Sequence, residues 1–156
     1  DISGNALLHA KTPAKHAYPV AGITPAKPGA ATVMKKAVQP AAVGPMLAKA
    51  DAAAGAKSAR KCAICHSFKK GGPNKVGPAL WGVVGKQIAS AKYSYSSTFK
   101  GLTGNWDYET LNKFLANPRG FVPGTKMAFA GLKKDAERAS VIAYMRTLAD
   151  NPVPLP

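Results

Sequence analysis

Two thiols three positions apart, Cys62 and Cys65, are followed at once by an imidazole in the run Cys62-Ala63-Ile64-Cys65-His66. Each thiol can add to one vinyl group of a haem, and the next imidazole nitrogen then falls where it can bind the iron from one face. These are the chain's only two cysteines. The run therefore reads as the attachment site of one covalent haem c. Three plainer readings compete. A Cys-x-x-Cys redox couple wants a βαβ setting, which the sequence pattern lacks. A zinc site needs four ligands, and beyond His66 only His9 and His16 remain, both in an N-terminal leader. A disulfide between such close residues closes a very small loop and stabilises little.

Iron held by His66 alone would leave its other face open. Met34 belongs to the leader, and Met46 begins an Ala-rich segment. Met145 lies on the apolar stripe of the last expected helix, where a methionine is ordinarily packing. Met127 differs, because it stands in the loop Pro123-Gly124-Thr125-Lys126-Met127 between two expected helices. It is the candidate thioether ligand.

The elements that must position these groups are helical. Met46 to Lys61 is Ala-rich and free of proline, which predicts one helix leading into the cysteines. Lys69 to Pro78 contains Gly71-Gly72-Pro73-Asn74 and reads as a loop. Asp107 can cap a helix whose Leu111, Phe114 and Leu115 share one face, stopping near Asn117-Pro118. Asp135 can cap the last helix, in which Val141, Tyr144, Met145 and Leu148 recur at helical spacing before Asn151-Pro152. Nothing reads as a substantial β-sheet, so the expected class is all-α with long loops.

The 156 residues suit one domain, 46–156, preceded by an Ala/Pro/Lys-rich leader, 1–45. Prolines at 13, 19, 25, 28, 40 and 45 forbid a long helix there and favour extended backbone. Thr12-Pro13-Ala14-Lys15 echoes as Thr24-Pro25-Ala26-Lys27, too little for a repeat architecture. If flexible, such a leader spans on the order of 35–40 Å and could act as a tether. No apolar run reaches the length that crosses a bilayer. The formal charge of +15 favours acidic partners and quickens encounter with them. No zinc finger, stacking-aromatic motif or Arg-rich reading helix points to nucleic acid.

Taken together, the motifs make the stretch from Leu47 to Asp150 similar to class I cytochrome c of the mitochondrial and α-proteobacterial type. The likeness is carried by the CAICH run, Gly77-Pro78, Tyr95, Trp106, the stretch from Asn117-Pro118 to Met127, and Phe129-Ala130-Gly131. It implies the cytochrome c fold, a few helices and loops around a largely buried haem, with the end helices crossing at small residues such as Gly55 and Ala56. It implies His66 as proximal ligand, its other ring nitrogen bonded to the Pro78 carbonyl, and Met127 as distal ligand. Tyr95, Trp106 and Lys86 match positions that hold the propionates, and Thr125 belongs to the cofactor-binding loop beside Met127. Tyr95 and Trp106 also read simply as core aromatics with one hydrogen bond each.

Some positions depart from the family pattern. Phe114 stands where a tyrosine often bonds the methionine sulfur, and Phe99 where a polar residue is common. Lys86 replaces an arginine and cannot form a bidentate clamp. Ser58 and Ala59 occupy a region that usually holds an aromatic. Lys61, Lys69, Lys70, Lys75, Arg119, Lys126, Lys133 and Lys134 fall on segments that surround the exposed haem edge in the family.

The function implied is one-electron transport, not enzymatic catalysis, by a monomer in the periplasm or the equivalent mitochondrial intermembrane space. Its implied partners are acidic docking surfaces, with a quinol-oxidising cytochrome complex as donor and a terminal oxidase or similar enzyme as acceptor in a respiratory or photosynthetic chain. Residues 1–45 resemble the linker of membrane-anchored members, with the anchor outside this chain. The alternatives are a haem subunit held on a dehydrogenase or oxidase, and an open-site haem sensor or peroxidase.

Overall fold

A computed structural model of the chain describes residues 39–156. The leader up to residue 38, with His9, His16 and Met34, lies outside the described residues. Seven helices follow: α1 (Gly44–Leu47), α2 (Ala52–Ser58), α3 (Arg60–Ala63), α4 (Ser97–Lys100), α5 (Tyr108–Ala116), α6 (Pro118–Phe121) and α7 (Asp135–Thr147). Among the described residues the β-structure is one antiparallel bridge, between Gln87 and Asn105. The class is all-α.

The single helix expected from Met46 to Lys61 is in fact three pieces. Asp51 interrupts it, because its carboxylate takes the amides of Ala53 and Ala54 at 2.8 and 3.2 Å and so starts α2. A short acidic side chain satisfies a helix start better than it continues a helix. Asp107 caps α5 by accepting from the Thr110 amide at 2.7 Å. The helix ends before Asn117, which caps α6 through the Gly120 amide at 3.1 Å, with Pro118 in its first turn. Asp135 does not cap α7. Lys134 holds that position and Asp135 is the first helical residue. The Asp135 carboxylate instead pairs with Arg138 one turn on.

Helices α2 and α7 cross at Gly55. A Cβ there would stand 1.9 Å from the Ser140 carbonyl oxygen, so only glycine allows this approach. Around the crossing, Val141, Ile142 and Met145 of α7 join Leu111, Phe114 and Leu115 of α5 in one core. The arrangement removes the apolar stripes of both helices from water, the main source of their stability. The chain just ahead of α1 packs on the same body. Val43 is fully buried, its amide donates to Glu109 Oε1 at 2.6 Å, and Asn112 Nδ2 donates to the Ala41 carbonyl at 2.8 Å.

Between α3 and α5 the chain is mostly loop, held by specific backbone bonds. The Gly85 amide donates to the Trp106 carbonyl and the Trp106 amide to the Lys86 carbonyl, both at 2.8 Å. These bonds bring Lys86 and Trp106, twenty residues apart in sequence, to one wall.

Candidate haem-binding site

Cys62 lies in α3, and the chain turns through Cys65 so that the His66 amide donates to the Cys62 carbonyl at 2.9 Å. The following loop folds back on this turn. The Gly77 amide donates to the Cys65 carbonyl and the Leu80 amide to the Ser67 carbonyl, both at 2.8 Å. The return places the Pro78 carbonyl 2.7 Å from His66 Nδ1. A carbonyl only accepts, so Nδ1 carries the proton and Nε2 keeps its lone pair. Burial pushes the His66 pKa down, against the Pro78 bond that raises it, and Lys75 adds to the lowering. The imidazole is thus held neutral, the form in which it can bind a metal.

Gly77 makes room for the ring. A Cβ at that position would lie 2.3 Å from His66 Cε1 and 2.8 Å from both ring nitrogens. The bare backbone and the imidazole are therefore in direct contact. A proline carbonyl one residue later then sets the ring's rotation.

Cys62, Cys65, His66, Pro78, Lys86, Tyr95, Trp106, Thr125 and Met127 all line one cavity of about 360 Å3. Leu111, Phe114, Leu115 and Met145 supply apolar lining from α5 and α7. Met145, placed by its spacing as core, is buried and also reaches this surface. Both thiols are free, and burial pushes that of Cys62 up, against a lowering from Lys61. Among the described residues no group of three or more His, Cys, Asp or Glu side chains gathers as a metal site, which leaves zinc without its ligands there.

The Met127 loop is tied from two directions. Its amide donates to Thr125 Oγ1 at 3.2 Å, and the neighbouring Lys126 ammonium donates to the Ser94 carbonyl at 2.9 Å. The second bond links the loop to the segment carrying Tyr95. Tyr95 stacks on Phe99 with centroids 5.1 Å apart, and burial pushes its hydroxyl pKa up. Phe99 meets Phe114 edge to face, and Phe114 lies 5.0 Å from Trp106. The two phenylalanines that depart from the family pattern thus form one aromatic cluster with Tyr95 and Trp106.

Two features, one at the cavity and one in the core away from its lining, were not singled out from the sequence. Ile64 and Val76 are 74% and 75% exposed although both reach the cavity lining. The cue was available, since Ile64 lies within the CAICH run and Val76 precedes Gly77. Arg138 gave no cue at all. It is buried within α7, where Nε donates to Asn112 Oδ1 at 2.8 Å and a terminal nitrogen to the Leu132 carbonyl at 2.7 Å. The basic residues are also less uniform than their count implies. Lys61 pairs with Glu137 at 3.0 Å and Lys70 with Asp150 at 2.6 Å, and the Lys75 ammonium donates to the Ala63 carbonyl.

The residues present fit a haem. Two free thiols, an oriented neutral imidazole and a thioether border a cavity whose remaining lining is chiefly apolar, with Lys86 available to a carboxylate. The profile of the cytochrome c family matches residues 52–149. The chain belongs to the cytochrome c family, the haem-containing electron carriers with covalently attached haem c, and is a carrier rather than an enzyme. It is 43% identical over 161 residues to a cytochrome c homolog of Bradyrhizobium diazoefficiens, covering 99% of this chain and 85% of that protein. A cytochrome c homolog of Rickettsia bellii is 43% identical over 113 residues, 72% of this chain and 65% of its own length. Cytochrome c of Euglena viridis is 52% identical over 87 residues, 55% of this chain and 84% of its own. Among solved structures, cytochrome cH from Methylobacterium extorquens superposes with a TM-score of 0.58 at 41% identity, over 62% of this chain and 98% of that one.

Proposed function

We propose that His66 and Met127 are the two axial ligands and that the protein shuttles single electrons between membrane-bound redox complexes. The observation that carries this reading is the His66 ring, held through Nδ1 by the Pro78 carbonyl, on the same cavity as the Met127 loop. The haem, when bound, supplies a one-electron change between ferrous and ferric iron. The protein's part is to attach it at Cys62 and Cys65, fix the imidazole, keep water out and leave no open position for a substrate. The Nδ1–H to Pro78 bond raises the basicity of the ligating nitrogen, and His/Met ligation raises the potential. Phe114 offers no hydroxyl to a methionine sulfur, so the thioether keeps its full donor strength.

Lys86, Tyr95 and Trp106 hold the propionates in this reading, and Thr125 orders the Met127 loop. The partners are a quinol-oxidising cytochrome complex as donor and a terminal oxidase or similar enzyme as acceptor, met in the periplasm or on the periplasmic face of the inner membrane. The leader within residues 1–45 tethers the domain near those complexes, while its last residues, from Ala41 on, pack on the domain itself. The lysines and Arg119 on the segments expected around the haem edge favour acidic surfaces, with attraction that speeds encounter and fades as salt rises.

Optical spectra test the ligation. The oxidised protein is expected to show the thioether-to-ferric-iron charge-transfer band, and the reduced protein to ignore carbon monoxide. Met127→Ala is expected to lose the band and bind carbon monoxide. Ready binding by the unaltered protein would sink the reading in favour of an open-site haem. A complex with a partner that survives moderate salt would replace the mobile carrier with a fixed subunit.

A further inference from the structure

The chain beyond α7 returns over the body of the protein and is held at one point from two helices. The Val153 carbonyl accepts from Arg146 Nε of α7 at 2.6 Å and from the Tyr108 hydroxyl of α5 at 2.8 Å. The same hydroxyl lies 3.1 Å from the Pro154 carbonyl. Tyr108 is buried, and an oxygen in that setting is costly to leave unpaired. Two donors converging on one tail carbonyl, one of them a guanidinium, make a directed anchor rather than a loose end.

What the anchor holds in place is the Val153 side chain. It packs on Gly85, where a Cβ would meet Val153 Cγ2 at 2.9 Å, and Gly85 has a φ of +82°, a conformation suited to glycine. Gly85 begins the short paired segment described above. Its amide donates to the Trp106 carbonyl, and the Trp106 amide donates to the Lys86 carbonyl, each at 2.8 Å. The end of α7 grips the same loop, since the Gly82 amide donates to the Leu148 carbonyl at 2.6 Å. Lys86 and Trp106 both line the cavity. An unbroken set of contacts therefore runs from Val153 to two residues of the cavity wall.

We infer that the tail segment around Val153, fixed by Tyr108 and Arg146, is a brace that sets the position of Lys86 and Trp106 against the haem and so tunes its potential. Tyr108, Arg146 and Val153 are positioning residues, since they act through Gly85 and its partners. The direction of the effect follows from electrostatics. When the wall is firm, water is excluded and the Lys86 ammonium offsets nearby carboxylate charge. Both disfavour the more positive ferric state. Loosening the brace admits water and moves the ammonium away, which lowers the midpoint potential. The inference rests on the assignment of Lys86 and Trp106 to the haem propionates.

The test is redox titration of the holoprotein for Val153→Ala, Tyr108→Phe and the double variant Tyr108→Phe/Arg146→Leu, with Ile142→Val as control. Ile142 is fully buried in α7, makes none of the tail bonds and does not line the cavity, so its truncation reads the cost of lost packing. The expected result is a downward shift of midpoint in the brace variants, largest in the double one, with no shift in Ile142→Val. Should the double variant fail to assemble, the two mild single variants still decide. Midpoints equal to the unaltered protein, alongside lowered thermal stability, would make the tail merely structural and overturn the inference. Charge-transfer spectra of the same samples separate this from the ligation reading. Loss of the band in the unaltered protein sinks Met127 as ligand, while a midpoint shift needs only that haem is bound.

Discussion

Gly55 of α2 and Ser140 of α7 meet backbone to backbone, so closely that the smallest side chain at Gly55 would fall 1.9 Å from the Ser140 carbonyl oxygen and 2.4 Å from its carbonyl carbon. Neither atom belongs to a flexible side chain that could turn aside. The helices must separate for any Cβ to enter, and separation would loosen the Val141, Ile142 and Met145 layer behind them.

Gly55→Ala is therefore expected to destabilise the holoprotein by about 3 kcal/mol, the upper end of ordinary overpacking. Alanine's better helix propensity offsets only about 1 kcal/mol of that. Denaturant titration followed through the haem absorbance measures the change. A midpoint equal to that of the unaltered protein would mean that the crossing is wider in solution than it is here.

Arg138 makes a second prediction, from buried polarity rather than volume. Its guanidinium satisfies the Asn112 carbonyl oxygen and the Leu132 carbonyl, while Asn112 in turn holds the Ala41 carbonyl ahead of α1. Arg138→Leu leaves those acceptors buried without donors. The expected loss is on the order of 3 kcal/mol, from unpaired acceptors at about 1–3 kcal/mol each. Because the same side chain holds the Leu132 end of the loop that carries Met127, the variant is also expected to weaken the charge-transfer band at temperatures where the protein is still folded. A lowered urea midpoint with an unchanged slope and an unchanged band would limit Arg138 to stability.

How much of this could be read beforehand depends on whether the cause was local. The CAICH run, the Met127 loop and the Asp107 cap each lie within a few residues, and spacing alone pointed to them. The gathering of Lys86, Tyr95 and Trp106 with those motifs was legible only through family likeness, because no local pattern says that distant loops share a wall. Asp51 failed as a local reading in the other direction, whereas the helix does stop at Asn117 as expected and only the new helix that Asn117 starts was missed. Each sits in a stretch whose composition suggests a continuing or ending helix, whereas its side chain starts a new one. The Asn112 and Glu109 bonds to the chain ahead of α1, and the Arg138 bond that backs Asn112, were invisible, since a buried arginine on an apolar helix face looks in sequence like any surface charge. The tail's hold on Gly85 was hidden for the same reason: a valine between prolines names no partner.

The pair of Lys61 and Glu137 joins structure to function through pH. Lys61 lines the cavity beside Cys62, and its ammonium lies 3.0 Å from Glu137 Oε1 on α7. The hydrogen bond from Lys61 holds the Glu137 carboxyl below the usual carboxylate range, against the opposing effect of burial, with help from the Lys61 charge, Ser58 and Lys134. A folded-state pKa below the unfolded one means that the pair's stabilisation is complete above the ordinary carboxylate range. It is lost as pH falls through the depressed value. With the Lys61 side chain 46% exposed and that of Glu137 27%, solvent screening limits the contribution to less than about 1 kcal/mol. Glu137→Gln should accordingly lower the urea midpoint slightly at neutral pH, and the difference should vanish in acid. A difference that persists unchanged in acid would assign the contact to packing rather than charge. The same substitution removes the counter-charge from Lys61. Association with an acidic redox partner should then quicken at low salt and return to the unaltered rate as salt rises, which stopped-flow kinetics at several ionic strengths would measure. An unchanged on-rate at low salt would place Lys61 outside the docking surface.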